Sequence, residues 1–186
     1  MWGALVSPLA SSVSQTGQSQ LRDVVNIDFR TDVRLFTVMA ALKAAGFEYG
    51  SSSSSEEMSE VQRLVSEQLA QLDPELVNRL KVYFSLRRFG DDQALHTAYT
   101  SLALLLTGPP EFEIRKDAFG IPVDVREILG FEELLPEFYR AAKIPQLWER
   151  LRPRYAAELE AYSPVVKRVI RETLEYFRIP ARVVLD

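Results

Sequence analysis

Residues 144–177 read IPQLWERLRPRYAAELEAYSPVVKRVIRETLEYF, and the spacing in this stretch decides the fold. Ile144, Trp148, Leu151, Tyr155, Leu159, Tyr162, Val166, Val169, Thr173 and Phe177 step by three or four. That spacing puts side chains on one face of an α-helix. The phase passes through Pro153 and Pro164, although a proline inside a helix removes a hydrogen bond and costs about 3 kcal/mol. Two helices, or one kinked helix, sharing a single buried face are therefore predicted. Ser163-Pro164 is the favoured break, because Ser163 can cap a new helix. Trp148, Tyr155, Tyr162 and Tyr176 form an aromatic series along this face. Such a series builds either plain core or a groove, so Trp148, Tyr155 and Tyr162 are the candidate partner-binding residues.

The rest of the chain is organised by helix start and stop signals. Val24 to Phe29 alternates apolar and polar residues as a short strand does. Thr31-Asp32 then opens a helix to about Ala45, with Leu35, Val38, Met39 and Leu42 as its buried stripe and Gly46 as its left-handed stop. The serines at 51–55 read as linker and, with Glu56 and Glu57, as a capping box. An amphipathic helix from Glu56 to Leu72 is followed by Asp73-Pro74, an N-cap with proline in the first turn. The next helix presents Leu76, Val77, Leu80, Tyr83 and Phe84, and Arg87-Arg88 complement the negative end of its dipole. Asp91 caps a helix with Leu95, Ala98, Tyr99, Leu102, Leu105 and Leu106 on one side, stopped by Gly108-Pro109-Pro110. Beyond it come a short strand at Phe112 to Ile114, a helical turn capped by Asp124 and ended at Gly130, and a helix from Glu132 to Lys143. The expected architecture is mainly α: a multi-helix orthogonal bundle with one or two short peripheral strands.

A chain of 186 residues, 47% hydrophobic and 26% charged, has the balance of a globular protein. It is long enough to bury about 70% of the surface its unfolded form exposes. One domain over 21–186 is expected, with truncation at the C-terminus as an alternative to a complete domain. Residues 1–20 are uncharged and rich in Ser and Gln, and read as either a disordered tail or the remnant of an export signal. The second alternative would place the protein outside the cytoplasm; the first leaves it inside. No apolar run approaches the roughly 20 residues that span a bilayer. With a net charge of −4, the protein has no overall field toward a phosphate backbone, so nucleic acid is not an expected partner. The basic stretches at Arg150–Arg154 and Lys167-Arg168 lie among Glu149, Glu158 and Glu172 and read as solvated helix face.

The chemistry on offer is sparse. There is no cysteine, which removes disulfides, thiolate nucleophiles and thiolate metal sites together. The single histidine, His96, cannot supply the several imidazoles a zinc site normally takes. It lies beside Asp92, Thr100 and Ala103 on its helix, a boundary position. No G-x-S-x-G, P-loop or Rossmann string occurs. The acidic pairs Glu56-Glu57, Asp91-Asp92 and Glu132-Glu133 all stand at predicted helix starts, where the dipole accounts for them. No catalytic residue, metal ligand or cofactor site is assigned.

Two longer stretches together resemble a known layout. NIDFRTDVRLFTVMAALKAAGFEYG (26–50) gives strand, helix and Gly–aromatic turn. ELLPEFYRAAKIPQLWERLRPRYAAELEAY (133–162) gives Phe-Tyr, then Trp, then Tyr. Both are similar to the N-terminal half of exported bacterial proteins of the zincin-like (gluzincin) metallopeptidase type. The resemblance covers roughly Val24 to Asp186. It implies a helical region followed by a sheet and a helix carrying H-E-x-x-H, in which two histidines bind the metal and the glutamate acts as base. No such string exists in this chain, so no catalytic residue carries over. On this reading the terminal RIPARVVLD opens a further, catalytic domain. On the other, it is an edge strand pairing with Val24–Phe29. The rival function is an autonomous helical module that binds a protein or peptide.

Overall fold

The structure, a computed structural model, describes residues 23–27, 30–47, 60–87, 89–116, 120–178 and 181–185. The tail at 1–20 and the serine capping box at 51–57 lie outside these residues. Among the described residues the protein is mainly α, with seven α-helices and two five-residue strands. In chain order they are β1 (Asp23–Ile27), α1 (Val33–Ala44), α2 (Glu60–Leu69), α3 (Pro74–Ser85), α4 (Asp92–Leu105), α5 (Val123–Arg126), α6 (Leu135–Ala141), α7 (Ile144–Tyr176) and β2 (Ala181–Leu185). The chain divides into two compact units, residues 29–162 and residues 1–28 with 163–186.

The larger unit is a helical bundle built around α1. Asp32 caps that helix by accepting from the Arg34 N–H at 2.8 Å, which satisfies one of the orphan donors of the first turn. At the other end, Gly46 takes φ +95°. The Gly46 N–H then reaches the Lys43 carbonyl, and the Phe47 N–H reaches Leu42, both at 3.0 Å. These two bonds make a Schellman stop, and they send Phe47 inward against Phe84, ring centroids 5.1 Å apart. Between its caps the buried side of α1 differs from the predicted stripe: Thr37, Val38, Ala40, Ala41 and Leu42 are covered, whereas Leu35 and Met39 are only half-buried. Thr37 is tolerated there because its hydroxyl donates to the Val33 carbonyl at 2.7 Å. The alanines let α2, α3, α4 and α6 all pack on this one helix.

Helices α3 and α4 begin as expected, with Asp73 accepting from Glu75 and Asp91 from Ala94. Their inner faces meet in an aromatic core. Phe84, Tyr99 and Phe131 lie with centroids 5.0–5.3 Å apart, in tilted and edge-on pairings that suit the ring quadrupoles. Full burial of each such side chain is worth about 1.5–3 kcal/mol.

Five details differ from the sequence expectation. Helix α2 ends at Leu69 rather than Leu72, although Leu72 is still buried. Phe112 to Ile114 makes only an isolated antiparallel bridge, Leu106 to Ile114, while Phe112 itself is fully buried. The N-cap of α5 is Pro122, so Asp124 sits inside the first turn. The segment from Glu132 starts as a 3-10 turn (Glu132–Leu134) before α6, and Lys143 at φ +50° separates it from α7.

The fifth is the largest: the expected break at Ser163-Pro164 does not occur, and α7 runs unbroken for 33 residues. Pro153 and Pro164 are both exposed, as are Glu149 and Glu160 one turn earlier. Water can therefore take the carbonyls that lose an N–H partner, and the helix tolerates both prolines. The predicted single buried face also fails along part of its length. Only Ile144, Leu147 and Leu151 are buried in α7, and Tyr162, Val165, Val169 and Phe177 are exposed.

In the smaller unit β1 and β2 pair in parallel, from Asp23 beside Ala181 to Ile27 beside Leu185. The C-terminal strand thus pairs with the segment that opens the first sequence stretch.

Candidate functional site

An apolar concavity lies in the larger unit, between the start of α1 and the middle of α7. It holds about 380 Å³, within the range of small-ligand and side-chain pockets. Trp148, Tyr155 and Tyr162 are seven residues apart, two helical turns, so they lie on nearly one line. All three border this groove. Trp148 and Tyr155 stack with centroids 6.1 Å apart and planes 27° from parallel. Phe36 closes against both, at 5.2 and 6.1 Å. The rings are in mutual contact and form one continuous wall, with Leu35 and Met39 of α1 continuing it. Tyr162 is 64% exposed and stands at the mouth.

The rim is polar. Asp32 and Glu158 both border the groove. Burial alone would push the Asp32 carboxyl up. The Arg34 side chain and backbone N–H outweigh that and hold it below the ordinary carboxylate range. Arg34 in turn donates to the Leu106 carbonyl at 2.8 Å, which ties the lip of the groove to the end of α4. The Tyr155 hydroxyl is pushed up, first by burial and then by the Glu158 charge. It therefore stays protonated and available as a donor at neutral pH. The arrangement suits an apolar side chain against the rings with a polar or basic group at the rim.

The structure brings Trp148 and Tyr155 together with Phe36 as one wall, places Tyr162 at its mouth, and does not bring His96 to them. His96 is half-buried on α4, where burial lowers its pKa and the Asp92 charge partly opposes that. No group of three His, Cys, Asp or Glu that could hold a metal is found among the described residues. Sequence reasoning missed Phe36, the third ring of the wall. It follows Leu35 directly, and a stripe drawn through Leu35, Val38, Met39 and Leu42 leaves it out. The only available signal was a bulky aromatic on the flank of an already apolar face.

A second, more polar depression of about 640 Å³ lies near the end of α1, between α2 and α3, with Lys43 and Lys81 on its border. Elsewhere the aromatic core contains one polar oddity. The Tyr83 hydroxyl donates to the Ile128 carbonyl and burial pushes it to about 12. The Arg87 guanidinium lies 3.3 Å from the centre of its ring. The Tyr99 hydroxyl is buried with no hydrogen-bond partner among the described residues, and burial raises its pKa strongly.

No helix of the described residues is long and apolar enough to cross a membrane. No protein-family model, no curated protein and no solved structure matches the chain.

Proposed function

We propose that this chain is a non-catalytic helical domain that packs against and positions a further polypeptide. In the first reading it is the N-terminal part of a larger exported protein of the zincin-like metallopeptidase type. The pairing of β1 with β2 is what the edge-strand alternative expects, and only its parallel sense supports this reading. An isolated two-stranded sheet is only marginally stable in water. Parallel strands occur almost only in sheets covered on both faces and read as apolar runs, a pattern that Val183–Leu185 of β2 follows and DVVNI of β1 does not. Further strands added to an edge of this pair would build the sheet that the sequence resemblance implies. The metal ligands would have to come with them, since the chain holds one histidine. The test is to read the coding sequence past codon 186. An H-E-x-x-H string downstream is the expected result, and a stop codon with no such string removes the reading.

A second reading is favoured by the aromatic wall itself: an autonomous module that binds a peptide or a partner helix. An amphipathic helix laid in an apolar groove is a common recognition mode. Here the groove would take one apolar anchor against Phe36, Trp148 and Tyr155, with Glu158 at the rim favouring a basic neighbour. Screening a peptide library for ligands that protect Trp148 from quenching tests it. A ligand whose binding survives Trp148→Ala and Tyr155→Ala would count against this site.

A further inference from the structure

The groove between α1 and α7 sets a carboxylate beside an aromatic wall, a pairing that favours positive charge. Phe36, Trp148 and Tyr155 are each half-buried and all line the groove, so the rings are fixed by packing yet reachable from it. The face of an aromatic ring attracts a cation within about 6 Å, tryptophan most strongly. Glu158 follows Tyr155 by three residues on α7, close enough for its charge to act on the Tyr155 hydroxyl. We propose that this groove binds the quaternary ammonium group of a small organic cation.

Three observations select that chemistry over an ordinary amine or guanidinium. The first is the supply of hydrogen-bond acceptors. Asp32 also borders the groove, but both of its carboxylate oxygens already accept from Arg34. Glu158 makes no ion pair among the described residues, so of the two carboxylates it is the one open to a ligand. Beyond it the groove offers the hydroxyls of Thr31, Tyr155 and Tyr162. A primary ammonium brings three N–H donors and a guanidinium five, and a donor left unpaired in apolar surroundings is costly. A quaternary ammonium brings none. The second is the lining. Leu35, Met39 and Leu159 complete the groove, and N-methyl groups pack against such side chains as hydrocarbon does while their shared charge meets the rings. The third is size. A volume of about 380 Å³ lies at the small end of ligand pockets, room for one compact head group. Arg30, exposed at the rim, acts against a cation, so removing its charge should tighten binding.

This inference rests on the groove being a binding site, as in the second reading, and not on the partner being a peptide. The two part company by experiment: that reading fails if no peptide binds, this one if no quaternary ammonium does. With Trp2→Phe, Trp148 is the sole tryptophan of the full chain, and its fluorescence reports on the groove. Choline, titrated against sodium chloride of equal ionic strength, should change that fluorescence saturably. It should bind at least about tenfold more tightly than 3,3-dimethyl-1-butanol, its uncharged carbon isostere, and more tightly than ethanolamine, its primary amine. Glu158→Gln, at an exposed position, should weaken choline binding several-fold without altering the fold, and Arg30→Gln should strengthen it. Tyr155→Leu should weaken it as well, with circular dichroism showing that the helices persist. Phosphatidylcholine vesicles separate a free cation from a lipid head group: co-sedimentation with vesicles and no response to choline overturns the proposal. So does equal binding of choline and its carbon isostere, tighter binding of ethanolamine, or a choline response unchanged by Glu158→Gln.

Discussion

Helix α7 keeps one apolar spacing from end to end, yet its two halves live in different surroundings. Ile144, Leu147 and Leu151 are sealed among side chains of the helical bundle, whereas Val165, Val169 and Phe177 meet solvent. Both sets are apolar and step by three, four or eight residues. Periodicity says which side of a helix is greasy. It does not say what, if anything, that side faces.

The contrast can be broken by mutation. Leu151→Ala should cost about 2–5 kcal/mol in urea unfolding, because a sealed leucine leaves both lost contacts and a cavity. Val169→Ala should stay within about 0.5 kcal/mol. Equal costs would mean that the far half of α7 is covered after all. Pro164→Ala sharpens the same point. Restoring an N–H in an exposed helix should stabilise the local turn by up to about 3 kcal/mol, read as slower amide exchange around Glu160 to Arg168.

Within the sealed unit the expected effects are smaller. Asp32→Ala removes the α1 cap and the Arg34 pairing, and should cost about 1 kcal/mol. The sign of its pH dependence follows from the lowered Asp32 pKa. The folded state holds the proton more weakly than the unfolded state, so the stabilisation is present above the unfolded value near 3.8. It is lost as pH falls through the folded pKa. Acid titration of wild type against Asp32→Asn should therefore converge at low pH. Tyr99→Phe should leave stability unchanged or raise it by up to about 1 kcal/mol, since the hydroxyl it deletes is buried without a partner among the described residues. Tyr83→Phe loses the bond to Ile128 and should be destabilising by a similar amount. The smallest effect belongs to His96. Its pKa is lowered on folding, so the unfolded chain binds its proton first and stability should dip slightly as pH falls below about 6.5. His96→Gln should flatten that dip.

The caps were the most legible part of the fold. Asp32, Asp73-Pro74, Asp91 and Gly46 act on N–H and carbonyl groups within a few residues of themselves, so nothing distant can change their role. The wall formed by Trp148 and Tyr155 was half legible: their spacing put them on one line, but Phe36 comes from a helix more than a hundred residues earlier. The orphan hydroxyl of Tyr99 was not legible at all, because whether a buried donor finds a partner depends on neighbours from other elements.

By itself, then, the sequence determined the helices, their starts and stops, their apolar sides and the scarcity of reactive groups. All of these follow from local backbone bonding and residue chemistry. Only the tertiary structure decided that α7 continues unbroken past two prolines and that its first turns are sealed while its last ones are open. It alone also made β1 and β2 parallel neighbours. Those outcomes depend on solvent access and on contacts between residues far apart in the chain, which no local pattern encodes.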